Sequence, residues 1–306
     1  MTGLDVKALP AELAQGQLLV LGGGYTGQHL AASVRRLGGS VRVSRRQPEP
    51  SSDDLTFDSR SGLLPPPAAL AGTTHLLVTI PPDPEGHDPV LQSLGEQLQQ
   101  LPLRWVGYLS STGVYGDRQG GWVTETSAVG PPLQRRSAAR LACEQAWQAS
   151  GLPLQIFRLP GIYGPGRNPL LSLRRGEARL IHKAGQVFGR IHRDDIVGAL
   201  LHCLALPPSQ RPPLLNLVDQ QPAPSSELLG FAAHLLQCPL PPCQNFEAIA
   251  PQLSPMALSF WQENRRVSNQ LLTEGLGYQL LYPSYREGLR ACLSVEEQLP
   301  GWGNQG

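Results

Sequence analysis

The chain has 306 residues, of which 41% are hydrophobic, and a formal net charge of +1. That balance excludes a charge-driven disordered chain, and it provides no global field for collecting a polyanion, so a nucleic-acid partner is not indicated. Thirty-three glycines and thirty prolines without a fibrous period indicate a loop-rich globule, long enough for one large core or a main domain with a smaller appendage.

The opening MTGLDVKALPAELAQG carries Asp5 and no apolar core of signal-peptide length, and no later run reaches transmembrane length, so a soluble cytoplasmic protein is expected. QLLVLG, from Gln17 to Gly22, is an apolar run that breaks into glycines. In the stretch after it, Leu30, Ala31, Val34 and Leu37 repeat at helical spacing until Gly38 and Gly39. This predicts a strand, a tight turn and a helix. SVRVS (Ser40 to Ser44), HLLVTI (His75 to Ile80) and LRWVGYLSS (Leu103 to Ser111) read as further strands, with a helix over Val90 to Leu101. A helix follows around QRRSAARLACEQ, where Ala138, Leu141, Ala142, Ala146 and Ala149 form an apolar stripe and Arg136 and Arg140 lie on another side, with Glu144 one turn beyond as a partner for Arg140. LPLQIFR (Leu152 to Arg158) is the next buried strand. Beyond about residue 160 come loops, a helix over Asp194 to Leu206 and a strand over Leu214 to Val218. Strands spaced by helices predict an α/β fold: a Rossmann-type, doubly wound parallel sheet with a small discontinuous C-terminal substrate lobe. The expected boundaries are 14–170 for the dinucleotide-binding domain, with a return segment at 186–220, and 171–185 plus 221–306 for the lobe.

LGGGYTG supplies Gly22-x-Gly24-x-x-Gly27 between the first strand and the first helix. In the dinucleotide fingerprint one glycine makes the turn, one lets the pyrophosphate approach, and one packs helix on strand, while the helix N-terminus offers free N–H groups. NAD-preferring sites place a carboxylate at the end of the second strand; here the residues are Ser44, Arg45 and Arg46. Guanidinium groups chelate a 2′-phosphate, so NADP(H) is favoured over NAD(H). The only lysines are Lys7 and Lys183, so any basic site in this chain shows arginine by default.

Several segments together resemble the extended short-chain dehydrogenase/reductase group, the NAD-dependent epimerase/dehydratase superfamily, over nearly the whole chain. YLSSTGVYG matches its Ser-Ser-x-x-Val-Tyr-Gly strand end, FRLPGIYGPGRN its strand-to-substrate-loop junction, GRIHRDDIVGALL its His-x-x-Asp segment, and RRVSNQLLTEGLGYQLLYPSYREGL its C-terminal signature. The resemblance implies cofactor contacts at Gly22, Gly24, Tyr25, Thr26, Gly27, Ser44, Arg45, Arg46, Asp58, Ile80, Pro81 and Ser110. It implies substrate contacts at Thr112, Tyr163, Arg167, Asn168 and Arg266, and a role for Ser111 in holding a substrate hydroxyl or carbonyl.

In that group a tyrosine is the general acid/base and a lysine four residues later lowers its pKa. Anchoring on ARLACEQ places Arg136 at the tyrosine position and Arg140 at the lysine position, and no Tyr-x-x-x-Lys occurs anywhere in the chain. A guanidinium is a poor general acid at neutral pH, so the group's usual proton chemistry is lost or replaced. This resembles the atypical YeeZ-type members. The candidate catalytic residues are Ser111, Arg136 and Arg140. The expected function is an NADP(H)-binding oxidoreductase or epimerase acting on a small polar or nucleotide-sugar-like substrate; the alternative is a non-catalytic NADP(H)-dependent binding or sensor protein, and a homodimer is left open. No metal is expected: His192, Asp194 and Asp195 lack the spacing of a facing triad, and Cys238 and Cys243 lack a second pair. His29 is expected to be a packing or surface residue. Tyr115 and Tyr163 are remote substitutes for the missing tyrosine.

Overall fold

The computed structural model describes residues 8–49, 51–130, 133–299 and 302. Its centre is a seven-stranded parallel sheet. In chain order the strands are β1 (Gln17–Leu21), β2 (Ser40–Arg45), β3 (Leu55–Thr56), β4 (His75–Val78), β5 (Trp105–Ser111), β6 (Leu154–Leu159) and β7 (Leu214–Asn216). Across the sheet they run β3-β2-β1-β4-β5-β6-β7, every neighbouring pair parallel. The chain winds outward from β1 to β3, then returns to β1's other side with β4. The strand order therefore reverses at β1 and β4, and open α/β sheets hold ligands outside the carboxyl ends of the strands at such a switch point.

The sheet is buried on both faces because its strands carry apolar residues continuously rather than alternately. Leu18 and Val20 of β1 and Leu77 of β4 pack with Leu30 and Val34 of α1 (Tyr25–Arg36) and Leu200 and Leu204 of α4 (Arg193–Ala205). Leu19, Leu21, Leu76 and Val78 face the other way, onto Leu94 and Leu98 of α2 (Pro89–Gln99) and Trp147 of α3 (Arg135–Ala149). α2 starts where it does because Asp88 Oδ1 accepts the N–H groups of Val90 and Leu91, both at 3.0 Å. Asp88 Oδ2 takes Trp147 Nε1 at 2.8 Å and so ties α2 to α3.

The later chain builds a smaller cluster. Tyr163, Leu170, Ala232, Tyr285 and Leu289 pack together between α5 (Ser225–Leu236), α6 (Tyr285–Glu296) and the short helix Pro169–Arg174. Three two-stranded parallel ladders organise the later chain: Gly161–Tyr163 with Arg190–His192, Leu180–His182 with Cys243–Asn245, and Trp122–Val123 with Arg266–Val267, the last of which ties residues before α3 to the late chain.

One element differs from its sequence pattern. In α3 the expected apolar stripe lies outward: Ala138, Ala142, Ala146 and Ala149 are exposed and Leu141 is half-buried. The inward positions are Ser137, Cys143, Glu144 and Trp147. Alanine adds so little apolar area that it does not decide which face packs, whereas Trp147, packed 5.9 Å from Tyr108, and Glu144, paired to a buried arginine, do. Among the described residues no helix is long and apolar enough to cross a membrane.

Candidate functional site

Two chambers open at the carboxyl ends of β1, β2, β4 and β5, and both include Gly24 and Thr79. The outer one, about 790 Å³, reaches from the glycine turn past Ser44, Arg46, Asp58 and Arg60 to Ile80 and Pro81. The inner one, about 300 Å³, is bounded by Tyr25, Thr26, Ser110, Ser111, Arg140 and Arg167. A third cavity of about 510 Å³, between Leu9, Leu201 and Tyr278, includes none of the predicted site residues.

The three glycines of the turn differ in what they permit. Gly22 has φ +110°, and a Cβ there would lie 2.3 Å from Thr79 Oγ1. Its N–H is donated to Ser44 Oγ at 3.1 Å, and its carbonyl accepts from Thr79 Oγ1 at 2.7 Å, which pins the turn to β2 and β4. Gly27 is a packing glycine: a Cβ would meet Gly22 O at 2.3 Å and Val20 Cγ1 at 2.9 Å. Gly24 has neither constraint. Its φ is −80°, and a Cβ would meet nothing within 4 Å. Here the side chain's absence leaves open space beside the uncapped N-terminus of α1, whose first N–H groups have no side-chain cap. That is the arrangement a phosphate group fits.

At the ribose end of the outer chamber, Arg45 is not free. Its Nε donates to Asp54 Oδ2 at 2.6 Å. Arg46 is exposed, and Arg60, which sequence reading missed, lines the same chamber. Arg60 escapes a sequence reading because it sits in the irregular chain after β3, with no motif around it. Asp58, also in the lining, accepts from Ser61 Oγ at 2.9 Å and the Arg60 N–H at 3.2 Å.

The inner chamber gathers Ser110, Ser111, Arg140 and Arg167. Arg140 is anchored through Nη1 alone, to Tyr108 Oη at 2.9 Å and Leu109 O at 3.2 Å. It is not paired with Glu144, as the helical spacing suggested. Glu144 turns inward, where Oε2 accepts Arg158 Nη2 at 2.7 Å, Oε1 accepts Arg158 Nε at 3.1 Å, and Ser110 Oγ donates to Oε1. Glu144 and Arg158 are 1% and 4% exposed, so this is a buried ion pair beneath the cleft floor. Arg158 also lies 4.7 Å over the Tyr115 ring, and Tyr115 Oη donates to Asn216 Oδ1 at 2.8 Å. Burial pushes the Tyr115 hydroxyl above its ordinary range, and Tyr115 does not line the chamber.

The two serines present opposite faces to a ligand. Ser111 Oγ accepts the Gly113 N–H at 3.1 Å, which leaves its own proton to donate. Ser110's proton is committed to Glu144, which leaves lone pairs. Tyr25 Oη donates to Pro165 O at 2.9 Å, and burial pushes this phenol up to about 12.

Other predicted site residues do not join the chamber. The Arg136 guanidinium lies 3.6 Å over the exposed Phe260 ring, and burial lowers its pKa from the usual arginine value. Thr112 is buried in a 3₁₀ turn. Tyr163, 6% exposed, donates to Ser284 O at 3.4 Å and stands edge-on to His192. Asn168 caps the helix Pro169–Arg174. Arg266 donates to Gly120 O. His192 Nδ1 accepts the Asp194 N–H at 3.2 Å and its Nε2 lies 3.7 Å from Cys292 Sγ, while Asp194 pairs with His29 at 2.7 Å.

No family model matches the chain. It is similar to a 3-diazoavenalumate denitrifying reductase from Streptomyces sp, 29% identical over 161 residues that cover 50% of this chain and 51% of that protein. It is also similar to protein YeeZ of Escherichia coli (strain K12), 26% identical over 190 residues that cover 60% of this chain and 64% of that one. The matched region thus spans between half and two thirds of these curated relatives. Among solved structures, a conserved protein of unknown function from Silicibacter pomeroyi DSS is 41% identical, with TM-score 0.82 over 92% of this chain and 99% of that one. A protein from Methylobacillus flagellatus described as an NAD-dependent epimerase/dehydratase is 25% identical, with TM-score 0.67 over 92% and 99%.

Proposed function

The chain belongs to the extended short-chain dehydrogenase/reductase group, the NAD-dependent epimerase/dehydratase superfamily, and we propose that it is an atypical NADP(H)-dependent oxidoreductase acting on a small polar, anionic substrate. The observation that carries this reading is Gly24. A glycine demanded by neither φ nor packing, beside an uncapped helix N-terminus and over a two-chambered cleft, is explained by the close approach of a dinucleotide. Such a cofactor, when bound, supplies or accepts hydride at its nicotinamide ring.

The chain's own residues define what surrounds that exchange. Ser111, with its proton free, donates to a substrate oxygen. Arg140, anchored on Tyr108 and Leu109 through one nitrogen, keeps the rest of its fork for the ligand and stabilises negative charge that develops there. Neither group gives up a proton at neutral pH, and among the described residues no carboxylate or histidine lines the inner chamber. Water then completes the proton balance. Turnover is therefore expected to be flat between roughly pH 6 and 9, where a tyrosine acid with a tuned pKa would produce a limb. The inner chamber's volume of about 300 Å³ suits a small molecule, and a curated relative being a reductase supports the direction of the chemistry.

For the 2′-phosphate, Arg46 and Arg60 supply the guanidinium groups in place of the Arg45 and Arg46 pair, since Asp54 engages Arg45. A second reading, an NADP(H)-binding sensor without turnover, draws on the arginines standing where the group's tyrosine and lysine stand. Incubation with 4-deuterated NADPH and a panel of small carbonyl acids, imines and nucleotide-sugars separates the two. Stereospecific deuterium transfer to any of them supports the oxidoreductase; tight NADPH binding with no transfer supports the sensor.

A further inference from the structure

The cofactor reading leaves unused a buried carboxylate near the end of the chain. Glu296, the last residue of α6, is 1% exposed. Its Oε1 accepts the Gly166 N–H at 3.0 Å and Asn168 Nδ2 at 2.6 Å. The segment it grips, residues 164–168, is a closed turn. Gly164 and Arg167 exchange both backbone hydrogen bonds at 3.0 Å, Asn168 Nδ2 also donates to Gly164 O at 2.9 Å, and Pro165 O accepts the Tyr25 hydroxyl. Gly166, at φ +79°, gives this turn wide freedom once those ties are cut.

From this turn Arg167 reaches the inner chamber, beside Gly24, Tyr25 and Thr26. Its guanidinium carbon lies 5.8 Å from the Tyr25 ring centroid, and among the described residues no carboxylate pairs with it. Arg193, 4.9 Å from the same ring, is by contrast paired with Asp194 at 3.5 Å. Arg167, itself exposed, and the positive end of α1 thus share one chamber that, among the described residues, has no carboxylate in its lining. An anion lying between them is attracted by both.

We propose that Arg167 is a clamp on the phosphate-bearing part of the cofactor rather than a substrate contact, and that Glu296 is the positioning residue that holds it there. The C-terminal helix is then part of the cofactor site. This rests on the dinucleotide reading of the cleft, and the experiment keeps the two apart.

Calorimetric Kd values are measured for NADPH and for adenosine 2′-monophosphate, which lacks both the pyrophosphate and the nicotinamide, on wild type, Arg167→Met, Glu296→Ala, Glu296→Gln and the Arg167→Met/Glu296→Ala double variant. The expected result is an NADPH Kd weakened about tenfold by Arg167→Met and by Glu296→Ala, with the double variant no weaker than either alone. Glu296→Gln, whose amide oxygen still accepts both donors, stays within about twofold of wild type. Adenosine 2′-monophosphate binds all variants equally. If Glu296→Ala does not fold, Asn168→Ser keeps the helix cap, removes the Nδ2 donor and is expected to show the same loss. Unchanged NADPH binding in Arg167→Met overturns the clamp, and a loss in that variant without one in Glu296→Ala overturns the positioning role. Equal weakening of both ligands overturns the proposal in favour of general distortion. Wild type binding neither NADPH nor NADH overturns the dinucleotide reading instead.

Discussion

Gly27 and Gly24 stand three positions apart in the same turn, yet the space around them makes opposite demands. A methyl at Gly27 has nowhere to go between Gly22 O and Val20. Gly27→Ala is expected to cost about 1–3 kcal/mol in urea unfolding before any ligand is added. The two adjacent arginines of β2 and its exit also separate. Arg46→Ala removes an exposed charge from the lining of the outer chamber, so under the proposed 2′-phosphate contact NADPH should weaken roughly tenfold while NADH changes little. Arg45→Ala uncovers the Asp54 carboxylate, so it should move selectivity towards NADH even though Arg45 itself is engaged. Equal losses for both nucleotides in a side-by-side titration would contradict that assignment. Beneath the cleft, Glu144→Ala strands a buried guanidinium and should destabilise the fold by about 3–5 kcal/mol.

In α3 the two sides of the helix carry unlike work. Its outward face carries Ala138, Ala142, Ala146 and Ala149 among arginines and glutamines, so Ala146→Lys should change stability by less than about 0.5 kcal/mol in the same unfolding assay, where an apolar core stripe would have made it severe. This helix also marks the limit of what periodicity conveys. The strands β1, β2, β4, β5 and β6 and the helices α1, α2 and α4 are legible because runs such as QLLVLG and HLLVTI are dense in large apolar residues, and because the glycine turn both ends β1 and opens α1. In α3 the inward residues are Ser137 and Glu144 alongside Cys143 and Trp147, and the buried Glu144 carboxylate is matched by Arg158, fourteen residues on in β6. No local pattern contains that partner. β3, two residues long, has no sequence signal of its own, and the Glu296 contact to Gly166 joins residues 130 apart. The sequence singles out Arg136 and Arg140; that one rests on Phe260 while the other enters the chamber is set by the structure, the first of these by the later chain.

The molecule as a whole carries several buried ionisable groups away from the cleft, and their directions combine into one pH profile. Burial pushes Asp219 up to about 8 and Asp195 up to about 6, from an ordinary 3.8. Across the window from the unfolded to the folded pKa, the folded chain keeps protons that the unfolded chain releases, so these groups lose stability as pH rises. His192, lowered to about 4 by burial, acts oppositely: the unfolded chain binds its proton up to about pH 6.5, so this contribution gains as pH rises to that point and is then constant. Above about pH 6.5 the Asp219 contribution is left unopposed by either of the others. Stability is expected to fall from about pH 6.5 to 8 in wild type, and Asp219→Asn should flatten that slope in melting curves recorded across the range. At this level the doubly wound parallel architecture was the most readable part, since it follows from alternating strands and helices, whereas the strand order with its reversal at β1 and β4 comes from the structure. The pairing within the later chain was not readable, because its short ladders join segments separated by up to 144 positions, as between Trp122 and Arg266. Whether a nicotinamide dinucleotide lies at the Gly24 opening is decided by NADPH titration of wild type and Gly24→Ala followed by nicotinamide fluorescence. Saturable binding by wild type and at least about tenfold weaker binding by Gly24→Ala, at an unchanged melting temperature, are expected. Wild type that binds neither NADPH nor NADH, or a Gly24→Ala variant that binds as tightly as wild type, would contradict that placement.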